Sequence, residues 1–172
     1  MPSKTAAPKR TPKPLSLTMW VNHLSLLAGD PSVSTSFDAV SSGVGGGLSG
    51  LVIESTTTGD TGAGGGNKVV EKSLDLPPGF LVKGVRVGYE NSNARSFITQ
   101  VRLAQVQNPP ASAVVMLDDA AHLNAAGPAF ADSEATSIDP AAGPLLLSLR
   151  VNFADTSDKI VVRGLGLHLV RT

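Results

Sequence analysis

Five apolar side chains, Leu145, Leu147, Leu149, Val151 and Phe153, recur at every second position, separated by Leu146, Ser148, Arg150 and Asn152. A period of two sends alternate side chains to opposite faces of an extended chain, so this segment predicts a strand with one face in a core. The same period returns elsewhere. Leu81, Val85, Val87 and Tyr89 oppose Arg86, Gly88 and Glu90; Phe97, Thr99, Val101 and Leu103 oppose Ile98, Gln100 and Arg102; Leu165, Leu167 and Leu169 oppose Gly166, His168 and Val170. Near the start, Leu15, Leu17, Met19 and Val21 alternate with Ser16, Thr18 and Trp20, and Val33, Thr35 and Phe37 alternate with Ser34 and Ser36. Leu51–Ser55 and Ala113–Leu117 are short β-branched or apolar runs of strand type. Phe37, Phe97 and Phe153 fall on the apolar faces and are expected in the core.

Turn residues punctuate these runs: Leu76-Pro-Pro-Gly79, Asn91-Ser-Asn-Ala94, Asn108-Pro-Pro110 and Ala154-Asp-Thr-Ser-Asp158. One segment reads as a helix, Asp118–Gly127, with Asp118 as its cap and Gly127 as its stop. Many short strands and almost no 3.6-residue period predict an all-β fold, a two-sheet antiparallel β-sandwich of jelly-roll type with one short connecting helix. Val82–Tyr89 and Val162–Leu169 share the order apolar, basic, glycine, then alternating apolar, and could be equivalent strands of two sheet halves. At 172 residues the chain has the size of one domain, expected over residues 15–172.

Residues 1–14 contain Pro2, Pro8, Pro12 and Pro14 and four cations, Lys4, Lys9, Arg10 and Lys13, without an acid. Such a segment buries too little apolar surface to offset ordering, which predicts an extended basic arm. The formal charge of the whole chain is zero, so the body is net acidic and a poor partner for nucleic acid except through that arm. The basic start followed by Leu15–Gly29 imitates a secretory leader, but Asn22 and His23 interrupt it and the proline content is wrong for one. A cytoplasmic or particle-associated location is therefore expected over a secreted one, and no run is long enough for a membrane-spanning helix.

With no cysteine, thiolate chemistry and Cys-ligated metals are excluded. Gly45–Gly50 satisfies G-x-G-x-x-G, yet a strand follows where a dinucleotide fold needs a helix. Gly62–Lys68 imitates a phosphate loop, but Asn67 stands where glycine precedes the lysine and Val69 where a serine or threonine should follow it. Gly47-Leu-Ser-Gly50 lacks the second glycine of a nucleophile elbow. His23, His122 and His168 have no ligand spacing. His122 follows Asp118 by four, which in a helix makes a metal pair or, preferably, a cap and a helix-end cation. Asp132, Glu134 and Asp139 read as a solvated acidic loop rather than a Ca²⁺ site. No catalytic, cofactor or metal residue is assigned.

Leu74–Ser92, the strand around Ile98–Val106 and the closing Leu149–Val151 and Lys159–Leu167 segments resemble uncharacterised bacterial β-sandwich domains of jelly-roll type. The likeness spans roughly residues 67–170, rests on strand and turn patterns, and implies a sandwich that associates as a trimer. The leading expectation is a non-enzymatic, self-assembling structural protein, because Trp20, Ile98, Leu146 and Val170 place apolar groups on faces that should meet water. One alternative is a capsid-like jelly roll using the basic arm on nucleic acid. Another is a carbohydrate- or calcium-binding module using Trp20, Tyr89 and the acidic loops near Asp132 and Asp155.

Overall fold

The computed structural model describes residues 14–37 and 50–172. They form strands β1 (Ser16–Val21), β2 (Leu27–Ala28), β3 (Val33–Phe37), β4 (Leu51–Ser55), β5 (Val69–Leu74), β6 (Phe80–Asn91), β7 (Phe97–Val106), β8 (Ala113–Asp119), β9 (Ala129–Asp132), β10 (Leu145–Asn152) and β11 (Ile160–Arg171). Lys4, Lys9, Arg10 and Lys13, and residues 43–49 of the first glycine-rich stretch, lie outside the described residues.

Two antiparallel sheets face each other. One has the order β3-β4-β11-β6-β9, with β1 also paired to β11; the other runs β2-β5-β10-β7-β8. The two segments that share a pattern in sequence are neighbours in the first sheet, with Val162 opposite Tyr89 and Leu169 opposite Val82. Leu145, Leu147, Leu149, Val151 and Phe153 are all at most 1% exposed and join Leu165, Leu167 and Leu169 of β11 in one apolar core. That is the predicted two-layer sandwich, its stability resting on interdigitated inner faces.

Bulges account for the residues whose parity differs from expectation. Arg150 pairs with Gln100 but Val151 pairs with Ile98, so Thr99 is the extra residue of β7. An extra residue reverses which face the following side chains take. Ile98 is consequently in the core at 0% exposure, not on an outer face, and Phe97 turns to the outer face. Similarly, His168 pairs with Gly84 and Leu169 with Val82, so Lys83 is extra and Val82, rather than Leu81, enters the core. Phe37 is also not a core residue; it is 55% exposed on β3.

The predicted helix at 118–127 does not form. Asp118 and Asp119 continue β8, paired with Arg102 and Val101, and the following residues are an irregular loop. Helices among the described residues are limited to two 3₁₀ turns, His23–Ser25 and Pro140–Ala142. Local alanine content favours a helix, but the ladder with β7 and the Arg102–Asp118 ion pair at 3.0 Å prevail.

At one end of the sandwich, the glycine-rich loop 62–66 closes around a carboxylate of the chain itself. A Cβ on Gly62 would lie 2.0 Å from Oδ2 of Asp30. Hydrogen bonds from the Ser32 hydroxyl and amide, with those from Gly64 and Ala63, hold Asp30 below the usual carboxylate range. The anion position of this phosphate-loop lookalike is thus filled internally. Lys68, fully buried, donates to the carbonyls of Thr57, Thr58 and Gly59. Burial pushes its ammonium below the usual lysine range, opposed by Asp30 and Asp60. This core cation fastens the loop that carries Asp60.

Candidate functional site

The outer face of the five-stranded sheet divides into a polar half and an apolar half. Across the ladder, Glu71, Ser148, Arg102 and Asp118 form one row and Val69, Arg150 and Gln100 the next. Leu146, Ala104 and Val115 form an apolar row on the other side, ending at Ser73. In the polar half, side chains bind one another: Gln100 Nε2 donates to Asp118 Oδ1 at 2.6 Å, Arg102 Nε to the same oxygen at 3.0 Å, and Ser148 to Glu71.

Two loops raise walls beside this half. The loop fastened by Lys68 brings Asp60 to Arg150, with Oδ2 2.7 Å from Nη2. The loop after β8 brings His122 against Phe97, ring centroids 4.6 Å apart and planes inclined at 41°. That second loop is tied down at several points. Asp119 accepts from the Ala121 and Glu134 amides, both at 2.8 Å; Leu123 N–H donates to the Ile98 carbonyl at 2.9 Å; Asn91 donates to the Leu123 carbonyl at 3.0 Å. Between the walls lies an open cleft of about 360 Å³ lined by Asp60, Phe97, Gln100, His122, Arg150 and Asn152, with Thr99 and Ala120.

Chemically, the cleft offers amide, guanidinium, carboxylate and imidazole groups beside an aromatic wall. The Arg150–Asp60 pair in its lining and the Arg102–Asp118 pair beside Gln100 each join one positive and one negative group. A ligand held here would be recognised by hydrogen bonds and stacking rather than by net charge.

The expected interface residues Trp20, Ile98, Leu146 and Val170 do not form one patch, although Trp20 shares the outer face of its sheet with Asp132 and His168. Trp20 is 57% exposed on the opposite sheet, Leu146 and Val170 are half-buried on different sheets, and Ile98 has no surface to offer a neighbouring subunit. Tyr89 is buried, its hydroxyl accepting from the Ala125 amide at 3.3 Å, so it cannot stack on a ligand. The acids are engaged separately. Asp132 faces His168 at 2.8 Å, Asp139 accepts from the Ala141 amide at 2.9 Å, and Asp155 accepts from Ser157. The Ser157 amide and hydroxyl hold Asp155 below the usual carboxylate range. No group of three metal-ligating side chains occurs among the described residues. His122 and Asp118 lie on a loop and a strand, and Asp118 is committed to Arg102 and Gln100. Sequence reasoning missed the cleft because it placed Phe97 in the core and His122 on a helix. The polar pair Thr99-Gln100, lodged between two buried residues, was the available signal of a bulge.

Neither a protein-family model nor a curated protein matches the chain. Solved structures do. The C-terminal family 22 carbohydrate-binding module of Clostridium thermocellum Xyn10B aligns with a TM-score of 0.52 at 11% identity, covering 84% of this chain and 90% of that one. A xylan-binding domain of the same module family gives 0.51 at 12% identity, over 83% and 85% of the two chains. The fold is the jelly roll of these modules. The N-terminal endo-1,4-beta-D-xylanase 10B (Xyn10B) structure of C. thermocellum, CBM22-1 and GH10 modules complexed with xylohexaose, gives 0.54 at 9% identity; 88% of this chain aligns with 27% of that one. At such identities the likeness establishes architecture alone.

Proposed function

We propose that the chain is a non-catalytic carbohydrate-binding module that holds a neutral saccharide in the cleft on the outer face of the five-stranded sheet. The observation that carries this reading is the cleft itself: a recessed, charge-balanced surface rich in hydrogen-bonding groups, with the Phe97–His122 pair as its wall. A pyranose has hydroxyls around its rim and apolar C–H faces, which suit polar groups and an aromatic surface respectively. Support comes also from the neighbours sharing the fold, one of which was studied for residues in the cleft of its module that act in ligand binding.

Affinity electrophoresis in native gels containing soluble xylan, mixed-linkage β-glucan or galactomannan tests the reading. Retardation by at least one polymer is expected, reduced in Phe97→Ala and Gln100→Ala. Because the charges are paired, retardation should persist between about 0.05 and 0.5 M salt, where long-range electrostatics are screened. Equal mobility with and without every polymer would reject the proposal.

A further inference from the structure

On the opposite sheet, Trp20 of β1 and Phe130 of β9 expose 57% and 58% of their surface. They stand at the two ends of a path across β1, β11, β6 and β9, and they meet over glycines. Trp20 is in register with Gly166, Gly164 with Gly88, and Gly88 with Phe130. A Cβ on Gly166 would lie 3.3 Å from the indole, and one on Gly88 would lie 2.6 Å from Cε1 of Phe130. Only bare backbone lets the two rings lean inward until their centroids are 5.8 Å apart, at 62°. Glycine weakens the middle of a strand, so its placement under both rings in the two central strands marks a surface shaped around them.

Polar groups border the rings on the same face. The Arg86 guanidinium sits 5.3 Å from the centre of Phe130, and Asp132 Oδ1 lies 2.8 Å from His168 Nε2 and 3.7 Å from Arg86 Nε. His168 Nδ1 meets the Thr18 hydroxyl at 3.1 Å, and about half of the Asp132 side chain (49%) remains exposed. Large apolar surface with planar hydrogen-bonding groups at its edge is the pairing that a sugar ring requires. Two aromatic side chains supply far less than the roughly 800 Å² per partner of a stable protein interface.

We infer that this glycine-floored face is a second saccharide-binding site, separate from the cleft, in which a neutral pyranose packs on Trp20 and Phe130 and its hydroxyls reach Asp132, His168 and Arg86. The inference stands on this face and does not depend on the cleft.

Trp20 is the sole tryptophan of the chain, so intrinsic fluorescence reports this face. The full-length protein is titrated with xylohexaose, cellohexaose and mannohexaose, following Trp20 emission and its quenching by acrylamide. At least one hexaose is expected to shift the emission and protect Trp20. The change should persist in the cleft variant Phe97→Ala and be lost or weakened at least tenfold in Phe130→Ala and Asp132→Asn. Sedimentation velocity runs alongside, with Trp20→Ala as control. Unchanged emission with all three sugars overturns the inference. So does self-association that depends on Trp20 and shields it without sugar, since the face would then be a contact between copies. Loss of the response in Phe97→Ala but not in Phe130→Ala also overturns it.

Discussion

The rings of Phe97 and His122 lie 4.6 Å apart although one belongs to a strand and the other to an irregular loop. What joins them is Asp119, whose buried carboxylate accepts the amides of Ala121 and Glu134 and so fixes the loop that carries His122. Asp119→Ala would leave two amide donors unpaired and is expected to lower stability by about 2 kcal/mol or more. Thermal and urea denaturation measure this, and the same variant should bind saccharide more weakly because His122 is no longer held. An unchanged midpoint would show that the loop is held by other contacts.

The loop around Asp30 separates two glycines that look alike in sequence. Gly62→Ala would place a methyl 2.0 Å from the Asp30 carboxylate, and the protein should lose about 2 kcal/mol or more. Gly66→Ala meets nothing within 4 Å and should change stability by less than about 1 kcal/mol. Chemical denaturation of the two variants side by side checks the contrast; equal losses would contradict the packing described.

Acid should weaken the fold in a defined window. Asp30 has a folded pKa below its ordinary value of 3.8, because Ser32 and the loop amides bind the ionised form. The folded state therefore binds fewer protons than the unfolded chain. Its contribution is complete above the unfolded pKa and is lost as pH falls through the lower, folded value. The thermal midpoint should decline below about pH 4, with a shallower slope in Asp30→Asn. A slope identical to wild type would show that Asp30 contributes nothing to the acid sensitivity of the fold.

Lys68 presents the opposite situation, a cation inside the sandwich. Lys68→Met would remove the donor shared by three carbonyls and the cation near Asp30, while Asp60 keeps Arg150 at 2.7 Å. A loss of about 2 kcal/mol or more is expected, because the carbonyls of Thr57, Thr58 and Gly59 lose their donor. Denaturant unfolding provides the measurement, and a variant as stable as wild type would show that the ammonium contributes nothing net.

How far the sequence was legible follows from where its period stays regular. Leu145 to Phe153 has no interruption in its alternation, and all five apolar positions are in the core. Leu165, Leu167 and Leu169 behave the same way. Around Thr99 and Lys83, one added residue shifts the parity, and no alternation rule indicates which of two apolar neighbours, Phe97 or Ile98, turns inward. The cleft depends on that shift, since it turns Phe97 outward. It depends also on loop 120–125, whose shape is dictated by tertiary hydrogen bonds to Asp119, Ile98 and Asn91 rather than by its alanine-rich composition. Trp20 was legible as an outward aromatic because it interrupts an apolar alternation. Its partner Phe130 was not, because β9 has only four residues.

Isothermal titration of the full chain and of Phe97→Ala and Gln100→Ala with xylohexaose, cellohexaose and mannohexaose tests whether a neutral saccharide is held in the cleft of the five-stranded sheet. Binding of at least one hexaose, weakened about tenfold or more in each cleft variant, is the predicted result. Absence of heat with all three sugars, or affinities in both variants equal to that of the unaltered protein, would contradict it.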